Sequence, residues 1–133
     1  RQMCIRDRLL GVPSGTPTVM TKRQWGHYEV IAEGDGYSVK RLFIQPGKSL
    51  SMQRHFKRAE YWTLVSGECH IENEYKTITE LKKYKAYTIP VKAWHRPFNP
   101  GKDVAEIIEI WEGNSNENDI ERSQNPVSIL HGV

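Results

Sequence analysis

Cysteine is nearly missing from this chain of 133 residues: only Cys4 and Cys69 occur, and they form no Cys-x-x-Cys pair. That excludes a disulfide-stapled scaffold. Cys69 lies in the strand-like run Glu68-Cys69-His70-Ile71, where it reads as a small buried hydrophobe. A reducing, cytoplasmic setting is the expectation. Long apolar runs are missing too. The stretch Leu9-Leu10-Gly11-Val12 is far too short for a signal segment or a membrane span, so neither export nor a membrane is expected. No charge sign dominates, with 19 Lys and Arg against 16 Asp and Glu, a net of +3. The cations are dispersed (Lys22-Arg23, Lys40-Arg41, Arg54, Lys57-Arg58, Lys82-Lys83) and form no dense stripe, which argues against nucleic acid. A few inward cations serving an anionic small ligand suit this composition better.

What is present fits one domain. Residues 1–22 show no sustained period and read as an irregular flank. Residues 23–122 read as the domain, and residues 123–133 as a tail that frays from Ser128 and carries an idle His131. Because the first residue is Arg1 and not methionine, a domain upstream stays open.

From Trp25 onward the pattern is short strands cut by turn residues. Strands are expected over His27–Ala32, Tyr37–Gln45, Ser49–Gln53, Ala59–Val65 and Glu68–Glu72. Further strands are expected over Tyr75–Thr79, Ala86–Ile89, Trp94–Phe98 and Val104–Trp111. Gly34-Asp35-Gly36, Pro46-Gly47, Ser66-Gly67 and Asn99-Pro100-Gly101 supply the bends. A short helix is allowed over Glu80–Lys85. Regular strand spacing without a long amphipathic helix argues for an all-β sandwich or barrel.

Chemistry concentrates in two stretches. In the first, Gln53 and His55 are two apart and leave one face of a strand, and Glu60 returns after a break at Phe56–Arg58. The second, Pro90–Asn99, brings His95. One amide oxygen, two imidazoles and one carboxylate suit a divalent Zn, Mn, Co, Ni or Fe ion, with positions left for water or ligand. No thiolate is near, which argues against a structural zinc site. His27 and His70 lie outside both stretches and read as surface or core residues. Arg58, between two candidate ligands, offers bidentate donors to a phosphate. Lys40 and Arg41 alternate on one strand, so at most one of them points inward. Glu109, in the apolar run Ile107-Ile108-Glu109-Ile110, is either a pocket acid or an edge residue.

These stretches resemble the two motifs of the cupin superfamily: Gly47, five residues, Gln53, one residue, His55, four residues, Glu60, six residues, Gly67, and then Pro90-x-x-x-x-His95-x-x-x-Asn99. More closely, the chain resembles the cupin domain of type II mannose-6-phosphate isomerases, often fused behind a mannose-1-phosphate guanylyltransferase. Arg23-Gln-Trp25-Gly26, Val39–Leu42, Ser51–Trp62, Ile89–His95, Asn99–Gly101, Glu106–Glu109 and Asp119–Arg122 carry that likeness. His55-Phe56-Lys57 stands where the branch often has three histidines, and Asn125-Pro126-Val127 where it has Tyr-Gly-Arg.

The resemblance implies a jelly-roll barrel, a double-stranded β-helix, with Gln53, His55, Glu60 and His95 on the metal. It implies a metal-dependent isomerase interconverting mannose 6-phosphate and fructose 6-phosphate, with Arg58, Lys40 or Arg41 seating the phosphate. The base stays open between Glu109 and a metal-bound water. It also implies a homodimer and association with a nucleotidyltransferase. The alternative is a non-catalytic sugar-binding or regulatory cupin of nucleotide-sugar biosynthesis, and a metal oxygenase is a more distant third reading.

Overall fold

The computed structural model describes residues 19–123, so Cys4, His131, the tail 124–133 and most of the N-terminal flank lie outside the described residues. Eleven strands are found among the described residues, and no helix. They are β1 (Met20–Arg23), β2 (Gly26–Gly34), β3 (Tyr37–Ile44), β4 (Gln53–Arg54), β5 (Ala59–Ser66) and β6 (His70–Asn73), followed by β7 (Ile78–Glu80), β8 (Tyr87–Ile89), β9 (His95–Phe98), β10 (Ala105–Glu112) and β11 (Glu121–Arg122). Two antiparallel sheets result, ordered β1-β2-β3-β10-β5-β8 and β11-β4-β9-β6-β7. This is an all-β cupin jelly roll. No helix among the described residues is long and apolar enough to cross a membrane.

Strict alternation explains the larger sheet. Its centre is β3, β10 and β5, whose buried residues fall at every second position. Register then places Leu42, Ile107 and Leu64 side by side, and Lys40, Glu109 and Trp62 side by side. One end of this inner face is therefore apolar, with Ile44, Ala105 and Ile107 at 0 % exposure. The other end is polar. Burying each such isoleucine contributes on the order of 2 kcal/mol, so the apolar end holds the two sheets together. Trp62, Ile71, Cys69, Leu81 and Ile89 complete the core.

Two motif residues have plain structural work. Asn99 is buried and donates from Nδ2 to the carbonyls of Ile44 and Asp103, both at 2.8 Å, which shapes the β9–β10 turn. Gly67 has φ of 80°, and a Cβ there would meet the Val104 carbonyl oxygen at 2.5 Å. Only glycine fits that turn, where the chain crosses from β5 in one sheet to β6 in the other.

The fold departs from expectation over Glu80–Lys85 and over Ser49–Gln53. No helix forms over Glu80–Lys85: the Leu81 N–H donates to Cys69 and the Tyr84 N–H to Leu64, so neighbouring strands take the bonds that a helical turn needs. Of the strand expected over Ser49–Gln53, only Gln53 is in a strand, β4, while Ser49 makes a single bridge to Phe98; β1 pairs with β2 along its whole length.

Cys69 is fully buried, and burial pushes its thiol up to about 12. In a Cys4→Ser variant, native Cys69 is expected to react with a disulfide reagent at pH 8 on the order of a thousandfold more slowly than the denatured chain, following its thiolate fraction. Equal rates would show that the segment around Cys69 opens freely.

Candidate metal centre

The polar end of the barrel floor gathers His55, Glu60 and His95, whose ligating atoms all lie within 4.8 Å of one another. Glu60 enters from β5, His95 from the start of β9, and His55 directly follows β4. His55 Nε2 is 3.1 Å from Glu60 Oε2, and His95 Nε2 is 3.4 Å from Glu60 Oε1. All three residues are at most 3 % exposed. Gln53 sits directly opposite His95 in the β4–β9 pairing, which puts the two side chains on one face. Gln53 is buried as well.

Hydrogen bonding fixes how the imidazoles face the centre. His55 Nδ1 donates to the Asp119 carbonyl at 2.7 Å, and His95 Nδ1 donates to the Ala93 carbonyl at 2.9 Å. A carbonyl only accepts, so each Nδ1 carries a proton and each ring turns its Nε2 toward Glu60. His95 Nε2 is buried and has no hydrogen-bond partner. Two imidazole Nε2 atoms and a carboxylate therefore converge on one point. A divalent cation satisfies all three, and an Nδ1–H tied to a carbonyl is the usual orientation of a ligating histidine.

Burial would raise the Glu60 carboxyl, but the imidazoles of His55 and His95 more than offset it and hold the group well below the usual range. Trp62 Nε1 donates to Glu60 Oε1 at 2.9 Å. Arg58 Nε donates to Glu60 Oε2 at 2.8 Å, its Nη2 is 3.2 Å from His55 Nε2, and its Nη1 donates to the Asn116 carbonyl at 3.3 Å. The guanidinium also lies 3.8 Å from the centroid of Trp111. Each nitrogen of Arg58 has a protein partner, so a phosphate there would compete with them. Glu109 is driven well above the carboxylate range, first by burial and next by the charge of Glu60. It is buried on β10, at the middle of its sheet, and not on an edge.

The centre opens into a cavity of about 740 Å³ lined by Lys40, Gln53, His55, Arg58, Glu60 and Glu109, together with Arg23, Tyr28, Arg96, Glu117 and Arg122. Lys40 points inward, while Arg41 lies on the outer face near Glu106. His27 stacks on Phe43 and His70 packs edge-on against Phe98, both away from the cluster.

Sequence reasoning missed two contributors to this cavity. The first is the β1–β2 hairpin with Arg23. The second is the loop between β10 and β11. Its start is pressed against the 55–58 bend by Gly113, where a Cβ would lie 2.1 Å from the Lys57 carbonyl oxygen. Its end is pinned by Asp119, whose carboxylate accepts from the N–H groups of Phe56 and Lys57, both at 2.9 Å. Desolvation opposes charge on Asp119, but these donors and Ser115 hold its carboxyl below the ordinary value. The Asp119–Arg122 segment was the available signal, since a carboxylate followed by a short strand is what such a clasp needs.

The family described as the mannose-6-phosphate isomerase C-terminal domain matches residues 16–125. The chain belongs to this family. A mannose-1-phosphate guanylyltransferase of Sinorhizobium fredii is 41% identical over 97 residues, which cover 73% of this chain and 18% of that protein. The alginate biosynthesis protein AlgA of Pseudomonas aeruginosa is 41% identical over 101 residues, 75% of this chain and 21% of that protein. The domain thus spans about a fifth of the length of these curated relatives. Among solved structures, a cupin-2 domain from Rhodospirillum rubrum superposes with a TM-score of 0.68 over 95% of this chain and 88% of its own, at 15% identity. The capsular polysaccharide assembling protein CapF of Staphylococcus aureus gives 0.71 over 81% of this chain and 33% of its own, at 19% identity. Both likenesses support the fold.

One expectation is overturned. The chain was expected to be a mannose-6-phosphate isomerase, but these curated relatives carry the names of guanylyltransferases and of alginate biosynthesis. The family's members point to nucleotide-sugar and polysaccharide biosynthesis.

Proposed function

We propose that this domain is a metal-holding, sugar-phosphate-binding cupin that serves nucleotide-sugar biosynthesis beside a nucleotidyltransferase, as a binding or regulatory module. The observation that supports this most is the convergence of His55, Glu60 and His95, with His55 and Glu60 lining a cavity walled by cations. In this reading Gln53, His55, Glu60 and His95 hold one Zn, Mn, Co, Ni or Fe ion, a set that borderline divalent metals favour. The bound ion supplies Lewis acidity toward ligand oxygens. Arg58 positions Glu60, Glu109 hydrogen-bonds ligand hydroxyls, and Lys40 receives the phosphate. The free thiol of Cys69 is in keeping with a reducing cytoplasm.

Calorimetric titration of the metal-loaded chain tests the reading. Mannose 1-phosphate or mannose 6-phosphate is expected to bind about tenfold or more tightly than mannose, the worth of one charge-assisted hydrogen bond. Binding of neither phosphate ester, or equal affinity for mannose, would dismiss it. Light scattering on the same samples checks the homodimer expected of the family.

A further inference from the structure

Lys40 has an unusual setting for a cation. Its side chain is 8 % exposed, and Nζ lies 4.6 Å from the ring centroids of both Tyr28 and Trp111. The register places Glu109 directly across from it on β10. Its ion pair nevertheless goes to Glu117, a residue 77 positions away in the loop between β10 and β11. The Glu117 side chain is 56 % exposed. An ammonium fixed in an aromatic wall is thus neutralised by a carboxylate that stands mostly in water, and both line the cavity above the metal centre.

The loop does not depend on this pair. Asp119 ties it to the N–H groups of Phe56 and Lys57, and the Asn116 carbonyl accepts from Arg58. Glu117 can therefore leave Lys40 by rotating its own side chain, with the loop backbone in place.

We infer that Glu117 is an internal anion, holding the position on Lys40 that the phosphate of a bound sugar phosphate takes, so that ligand entry exchanges one anion for the other. This rests on the sugar-phosphate reading above. A phosphate monoester carries about −1.5 to −2 charge and three acceptor oxygens. It can engage Lys40 and also the guanidinium groups of Arg23 and Arg122, which line the same cavity and have no ion-pair partner among the described residues. A single carboxylate on a short tether cannot serve all of them. The exchange also sharpens selection, because a neutral sugar brings nothing that displaces Glu117.

The test is a double-mutant cycle on the metal-loaded chain, titrated with mannose 6-phosphate, inorganic phosphate and mannose. Glu117→Gln is expected to tighten both phosphate ligands by roughly three- to tenfold, between the worth of an exposed ion pair and that of a buried charge-assisted bond. Mannose binding should stay unchanged. Lys40→Met should weaken the phosphate ligands, and in that background Glu117→Gln should have no further effect. Unchanged or weaker phosphate binding by Glu117→Gln would overturn the inference while leaving the sugar-phosphate reading standing. A gain that survives the loss of Lys40 would do the same. If the parent chain binds no phosphate ligand at all, both readings fall together.

Discussion

Replacing His55 and His95 together by alanine is expected to empty the metal centre. The parent chain, loaded and desalted, should carry about one divalent ion, and the double variant almost none, because a site needs its converging donors. Two imidazoles supply most of the neutral donor capacity here, and Glu60 with Gln53 alone resembles an ordinary polar wall. The loss should exceed the 10–100-fold weakening that changes in outer-sphere partners usually bring. His70→Ala is the control, since its ring packs on Phe98 and not in the cluster. Elemental analysis and competition with a chromophoric chelator give the numbers. Equal metal in the parent and the double variant would remove the assignment.

Arg58→Ala is expected to act on stability more than on any ligand. In metal-stripped protein it removes the 2.8 Å partner of a carboxylate that is 1 % exposed. Losing this buried charge-assisted donor costs about 1.5–3 kcal/mol, because Glu60 keeps only Trp62 and the imidazoles beside it. It also removes the donor to Asn116 and the cation stacked on Trp111. Urea denaturation with and without bound metal measures this. The loss should shrink when metal is present, since a cation then faces Glu60. An unchanged unfolding midpoint, with weaker phosphate binding alone, would make Arg58 a ligand clamp after all.

Much of this was legible in the residues, for reasons that differ from element to element. The three central strands announce themselves because runs rich in β-branched and aromatic residues lie between turn residues, whereas their period-two burial appears only in the structure. The cluster of His55, Glu60 and His95 is legible because two tight stretches carry it. By contrast, Glu117 meets Lys40 across 77 residues and Asp119 meets Phe56 across 63, and no local pattern announces such pairs. Polar loops of the Asn-Ser-Asn-Glu-Asn kind read as solvent-facing, and this one is made of the residues that close the cavity. The segment Glu80–Lys85 misled in the opposite sense: its composition allows a helical turn, but tertiary hydrogen bonds decide otherwise. Activity was the least legible, since one barrel hosts enzymes and binders alike.

The inner face shared by β3, β10 and β5 bears on how the protein assembles. Core and centre are written on the same alternating positions, so a slip of one residue in pairing would turn Lys40, Glu60 and Glu109 outward together with Leu42, Leu64 and Ile107. It would carry Arg41, Tyr61 and Glu106 inward in their place. A barrel that buries its leucines has thereby already turned these polar groups inward. Quality control of the fold and construction of the site are one event, decided at the moment three strands find their register.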